Sequence, residues 1–240
     1  MTLDLTVFDP YWLLIAKGLG VTVALSASAL VVAIVLGVVV ALARLSRFAG
    51  ARWLALAYIE TFRNTPFMIQ LFLAFYVLPF FGLRLPAFAV GVVALSAYGA
   101  AYYAEIIRGA ILSVPRGQMD SARSVGMSYT QAMRHVVFPQ MLGYLIPPAT
   151  NQTLLLIKES SITSTITITE LTMAAQIIQG NTYSPVEVFL LISLLYWALC
   201  TSVARAGQRL ELALQPYARG RGATRPAGGA LDLKSLQIGR

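Results

Sequence analysis

Few residues in this chain can do chemistry, and most of them lie inside apolar stretches. Glu60 and Arg63 are three residues apart, which puts both on one helix face where they can pair. Lys158 and Glu159 are neighbours, with Gln152, Ser160, Ser161 and Thr163 close by, and Gln70, Asn151 and Glu170 complete the set. A charge at mid-bilayer costs about 2.5–3.5 kcal/mol on insertion scales, so each needs a partner, a cavity or a task. Opposite charges among hydroxyls and amides suit holding a polar solute in passage, and Glu170 reads as an outer gate or docking residue. Bond-breaking chemistry has no such support. His135 and Cys200 are the only histidine and cysteine, HExxH and GxSxG patterns are absent, and so an intramembrane enzyme or a metal site is not expected.

The elements that must position these groups follow from composition. Hydrophobic residues are 58% of the 240, charged residues only 12%, and the mean hydropathy is +0.71. A soluble fold of this size cannot hide so much apolar surface. That excludes a soluble enzyme, a disordered chain and a disulfide-stapled domain, and implies an all-α polytopic membrane protein. The net charge of +8 does not signal nucleic acid, because the basic residues form short runs between apolar stretches rather than one face. Asp4 and Asp9 near the start, before a long apolar run, argue against a cleavable signal peptide.

A crossing helix needs about 20 apolar residues. One runs between Lys17 and Arg44, a second over about Trp53 to Phe81, a third over about Leu85 to Ala104, and a last over about Val186 to Val203. Glu105 to Gln140 is too polar to cross. Met141 to Gly180 reads as one crossing with a break, given Pro147-Pro148, Lys158-Glu159 and the Thr/Ile alternation of residues 162–169. Thr165, Thr167 and Thr169 there could line a polar channel or satisfy broken backbone. Fourteen Lys and Arg residues fall in the first loop, the third loop and the C-terminal tail, against Lys17 and Arg84 on the other side. The positive-inside rule then gives five spans with the N-terminus outside and the C-terminus cytoplasmic. The main unit is residues 10–210; the basic tail of residues 217–240 is expected to be disordered and held loosely by anionic membrane lipid.

The third loop, about residues 115–139, reads as a helical elbow. One helix covers Arg116 to Val125, Gly126 supplies a left-handed corner, and Ser128 with Gln131 forms a capping box for a second helix, which Pro139 stops. Tyr129, Ala132, Met133 and Val136 give that helix an apolar stripe, with Arg123, Arg134 and His135 on polar faces. Such an elbow can lie on lipid headgroups or insert its stripe into a groove on a soluble partner.

A resemblance separates these alternatives. Asp120-Ser121-Ala122, three residues, Gly126, nine residues and Val136-Val137-Phe138-Pro139 resemble the EAA motif of ABC importer permeases, with Asp-Ser in place of Glu-Ala and Phe138 in place of Leu. Glu60 to Pro66 followed by Gln70 resembles the E-x-F-R-G-T-P…Q segment of the polar amino-acid permeases, with Asn64 in place of Gly. Ala101 to Gly109 resembles their A-Y-x-A-E-I-x-R-G/A segment, and Asn151-Gln152 with Lys158 to Ser161 their N-Q…K-D-T-S segment. Together these cover about residues 10–210.

The resemblance implies a type I ABC importer permease fold in a bacterial inner membrane, of the His/Glu/Gln/Arg/opine subfamily. It implies two copies of an ATPase subunit, a second permease chain (identical or closely related), and an extracytoplasmic amino-acid-binding protein. Asp120, Ala122, Gly126, Ser128, Tyr129, Met133, Arg134 and Pro139 would couple the permease to the ATPase. Glu60, Arg63, Gln70, Gln152, Lys158, Glu159, Ser161 and Glu170 would line the pathway, for which a zwitterionic amino acid has matching charges. This chain would carry no cofactor or catalytic residue; it has no GxxxxGK[ST] loop, so ATP and Mg belong to the partner. The remaining alternative is a permease of the same class for a non-amino-acid solute.

Overall fold

The computed structural model describes residues 5–218. Residues 219–240, most of the expected tail, lie outside that range. After a 3-10 turn at Leu5–Phe8 come α1 (Trp12–Arg44), α2 (Ala49–Arg63), α3 (Phe67–Val77), α4 (Ala87–Ser113), α5 (Arg116–Ser124), α6 (Tyr129–Ala132), α7 (Phe138–Glu159), α8 (Leu171–Thr182) and α9 (Pro185–Ala218). Prolines set several starts: Pro66, Pro86 and Pro115 are the N-cap residues of α3, α4 and α5, and Pro185 opens α9.

The core is the α1–α4 pair. Gly18, Thr22, Ser26, Ala29, Ala33, Gly37 and Ala41 form a buried stripe of small residues along α1 at helical spacing. A Cβ added at Gly37 would stand 2.7 Å from the Tyr103 Cβ, so the two backbones meet at glycine distance. Without a hydrophobic drive between helices in lipid, such close packing is the main attraction available. The opposite face of α1, including Val31, Val35 and Val39, is exposed apolar surface, the inside-out pattern of a chain whose solvent is hydrocarbon.

Among the described residues, three helices, Trp12–Arg44, Ala87–Ser113 and Pro185–Leu214, are long and apolar enough to cross a membrane. The second expected span differs: α2 and the α3 segment meet at 106°, so residues 53–81 are no straight rod, and together they would be a fourth crossing. The Pro66 ring forbids a continuing helix there. The third span also runs longer than its apolarity suggested. Helix α4 continues to Ser113, because Glu105 and Arg108 pair on its surface and keep the polar end helical. Pro139 does not stop the elbow's second helix either. A π-helical turn at Met133–Val137 joins α6 to α7, and Pro139 sits in the first turn of α7, where a missing N–H costs least. Pro147 and Pro148 lie inside α7. The break expected within residues 141–180 falls just after Lys158-Glu159, at the 3-10 segment Ser160–Ile166 and the residues before α8.

Candidate functional site: a polar break in the membrane and a capped elbow below it

The elbow is built by two complementary caps. At the end of α5, Gly126 adopts φ +87, its N–H donates to Arg123 O and the Met127 N–H donates to Ala122 O, the paired bonds of a Schellman motif. Ser128 then accepts from the Gln131 N–H at 3.3 Å while its own N–H donates to Gln131 Oε1 at 2.9 Å. The corner is therefore bonded on both sides and stiff. Gln140 Nε2 donates to Gln118 Oε1 at 3.1 Å, tying the first arm to the base of α7.

The apolar stripe is divided: Ala132 and Met133 turn inward, while Tyr129 faces out. Ala132 is fully buried, and Met133 packs on Ala110, Val114, Val137 and Met141. It seals the elbow against the C-terminal end of α4. What faces outward is the tip: Val125 at 76% and Tyr129 at 60% exposure, with Met127 between them and Arg123, Arg134 and His135 exposed nearby. Val125 and Met127 were missed by sequence reasoning, since residues flanking a corner glycine have no periodicity to mark them. Asp120 is exposed, Ala122 is buried, and Pro139 is half-buried at the hinge of the two helices.

The candidate pathway residues fall into three groups. Glu60 and Arg63 do not pair; among the described residues the one salt bridge is Arg108 to Glu105. Glu60 instead accepts from Asn64 Nδ2 at 2.7 Å, and the Arg63 guanidinium lies over the Tyr102 ring, 5.3 Å from its centre. Gln70 clamps the bend, its Nε2 donating to Phe62 O, Thr65 O and Thr65 Oγ1. The E-x-F-R segment is thus first a device for turning the chain.

Glu170 is completely buried and caps α8. Its oxygens accept from Thr172 N, Met173 N and Tyr196 Oη, each at 2.8 Å. The Leu171 N–H donates to Thr22 Oγ1, which itself donates to Gly18 O. Three free N–H groups at the start of α8 are satisfied in this way, so Glu170 is a structural cap with no face toward a solute.

Lys158, Glu159, Gln152 and Ser161 surround the break. Lys158 is exposed and Glu159 half-buried, and neither has a salt-bridge partner among the described residues. Gln152 is buried with Nε2 unpaired. The hydroxyls have another use. Ser160, Ser161, Thr163, Ser164 and Thr165 each donate to the carbonyl three residues back, stabilising the 3-10 turn that interrupts the helix. Ile166 and Ile168 are buried while Thr165, Thr167 and Thr169 face out, and Thr167 holds a left-handed φ of 68 that a β-branched residue rarely adopts. Asn151 lies lower on α7, beside a cavity shared with Gln208 and Glu211 of α9.

Comparison with known proteins adds to this geometry. Residues 33–215 match the model of the family described as binding-protein-dependent transport system inner membrane component. The probable amino-acid ABC transporter permease protein YckA of Bacillus subtilis (strain 168) is 38% identical over 190 residues, 79% of this chain and 84% of that one. The probable glutamine ABC transporter permease protein GlnM of the same strain is 39% identical over 194 residues, 81% of this chain and 90% of that one. A solved structure of an amino acid ABC transporter with histidines superposes with a TM-score of 0.82 at 36% identity, covering 89% of this chain and all of the other.

Proposed function

This chain belongs to the family of binding-protein-dependent transport inner-membrane components, and from that premise we propose that it is the permease of an ATP-driven importer of polar or charged amino acids. It is a transporter subunit and no enzyme, and its family works with a nucleotide-binding ATPase and a solute-binding protein. Two copies of that ATPase, a second permease chain, a cytoplasmic C-terminus and a fifth crossing formed by α7 with the segment after it belong to the proposal.

The observation that carries the reading is the connection between the elbow and the break. Tyr129 at the elbow tip and Glu159 at the break belong to one almost continuous helical run, interrupted only by a π-turn. A force applied to the tip by a closing ATPase dimer would be delivered to the irregular, polar segment that follows Glu159. A floppy loop would absorb the same force. Arg63, Lys158 and Glu159 support a pathway for a zwitterion, since none of the three forms a salt bridge among the described residues.

The test is uptake into vesicles holding the assembled transporter with its binding protein and ATP, against a panel of amino acids, sugars and oxyanions. ATP-dependent amino-acid uptake is expected. Uptake of a sugar or oxyanion with no amino acid carried would favour the alternative permease reading. Cross-linking from Val125 and Tyr129 should reach the ATPase; products with phospholipid alone would count against the elbow's role.

A further inference from the structure

Three helices leave a slot along one side of the bundle. Helices α1 and α9 each pack on α7, and the space between them holds two adjoining cavities of about 170 Å³ and about 290 Å³ that share Thr153 and Val203 as walls. The walls run from Val23 to Ile34 on α1, from Ile157 back to Ile146 on α7, and from Leu199 to Leu210 on α9. Each stretch is eleven residue steps long, which at 1.5 Å per step is about 16 Å. Half of a hydrocarbon core of about 30 Å is about 15 Å, so the slot has the depth of a single leaflet. Its floor is buried at Ile146, Leu156 and Ile157, while its lips at Val23, Ala27 and Leu210 are exposed. The mouth therefore opens sideways, toward the surrounding hydrocarbon. Tyr103 Oη and Thr153 Oγ1 bond each other at 2.7 Å, and Thr153 also donates to Ala149 O, so these wall hydroxyls ask nothing of an occupant. Ser26 Oγ at the deep end makes no bond, and a turn about its Cα–Cβ bond returns it to the preceding helical turn. At the other end α9 carries Arg205 and Arg209, exposed and one turn apart on one face, with Glu211 the acid beside them.

From this shape we infer that the slot seats one acyl chain of an anionic phospholipid, taken from the leaflet at the C-terminal ends of α1 and α9, with Arg205 and Arg209 holding its headgroup phosphate. Under the topology proposed above this is the inner leaflet, and the inference does not depend on which solute is carried. Size selects the occupant. An extended chain advances about 1.25 Å per methylene, so about 13 methylenes fill the slot's length. At about 30 Å³ each, the share of one water in the liquid, they need about 400 Å³, the scale of the two cavities together. A helix of that length and about 10 Å wide needs about 1,200 Å³, so a helix of a second chain cannot enter. The gain is contact with walls that no side chain of this protein reaches, since apolar burial alone drives nothing in a bilayer. The two arginines have stems long enough to carry their charge out to the phosphate level. A chain seated there braces α9, which otherwise rests on α7 and α8 and crosses α7 tightly at Gly207, where an added Cβ would stand 2.5 Å from Thr150.

The experiment is native mass spectrometry of the permease–ATPase assembly, extracted in mild detergent and washed. One phospholipid per permease chain should stay bound. Phosphatidylglycerol should be retained at least about fivefold over phosphatidylcholine, the preference expected of one arginine near an anionic headgroup, and excess palmitate should not displace it. Ala27→Trp and Val203→Trp fill the slot from opposite walls, and each should cut retention at least about tenfold with the number of protein chains unchanged. Val35→Trp, on the exposed face of α1, should keep the lipid, and Arg209→Gln should lose most of the preference for phosphatidylglycerol while still retaining a phospholipid. Because tryptophan can disturb assembly, the wild-type protein is also labelled with phosphatidylglycerol bearing a photoreactive diazirine at its chain end. After washing, label should sit on Val23, Ile157 or Leu199. A wild type that retains no phospholipid, unchanged retention in both filled variants, or label confined to Val31 and Val39 overturns the inference. So does displacement by palmitate or equal retention of phosphatidylcholine, which would remove the headgroup contact, and so does a changed number of permease chains in the filled variants, which would give the slot to a second copy.

Discussion

Replacing Glu170 with alanine should loosen the packing of α8 with α9 and α1 while leaving substrate recognition alone. The carboxylate is fully buried and receives three hydrogen bonds of 2.8 Å, two from backbone N–H groups of α8 and one from Tyr196 on α9. Alanine removes a helix cap, about 1 kcal/mol. It also leaves the Tyr196 hydroxyl and two N–H groups without acceptors, at about 1–3 kcal/mol for each that water cannot reach. A total of about 3–5 kcal/mol follows once partial relaxation is allowed, and at roughly 2–4 °C per kcal/mol for a chain this long the melting temperature should fall by about 10 °C. Glutamine keeps one acceptor oxygen and should lose about half as much. The assay is thermal unfolding of the assembled transporter in detergent, followed by tryptophan fluorescence, with amino-acid binding measured in parallel at low temperature. An alanine variant that melts with the wild type would refute the capping argument. So would a glutamine variant that melts normally but no longer binds substrate, because the carboxylate would then be a ligand.

Other perturbations test neighbouring parts of the structure. Gly126→Val should abolish co-purification with the ATPase, since nothing lies within 4 Å of the added Cβ and the cost, about 1–2 kcal/mol, is purely that of a left-handed φ at a branched residue; normal co-purification would refute the corner as drawn. Thr22→Val should cost about 1–3 kcal/mol by stripping the Leu171 N–H of its acceptor, read as a lowered melting temperature. Gly37→Ala should destabilise through the 2.7 Å approach to Tyr103, whereas Gly20→Ala, which meets nothing within 4 Å, should be neutral or gain about 0.5–1 kcal/mol. Thr167→Gly should raise stability by about 1 kcal/mol by releasing strain, and lower transport if that strain helps the break switch.

Apolar length alone located α1, α4 and α9 in the sequence, because a long charge-free run has only one low-energy form in lipid. The elbow was legible for a different reason: Gly126, Ser128 and Gln131 are local signals, and local hydrogen bonds formed where they pointed. The direction of its stripe was not legible, since Tyr129, Ala132 and Met133 would look the same whether they faced a partner or the end of α4. Pairing was also beyond reach. Spacing permitted Glu60 to meet Arg63, yet Asn64 one residue further gave Glu60 a nearer donor and Tyr102 from another helix drew the guanidinium away. The prolines misled in one place and not another: Pro66 turns the chain by 106°, whereas Pro147 and Pro148 are carried within α7. Sequence marks where a helix is weakened, and tertiary packing chooses which weak point yields.

The π-turn at Met133–Val137 has a mechanical corollary. Inserting an extra residue into one turn rotates everything beyond it by about 100° relative to an unbroken helix without adding a joint that can flex freely. Tightening that turn to ordinary α geometry would swing Lys158 and Glu159 around the axis of α7 while the elbow tip stayed in place. Aim and grip are therefore set by separate stretches of a single rod, so a lone residue's change of winding could re-point Lys158 and Glu159 without disturbing the elbow tip.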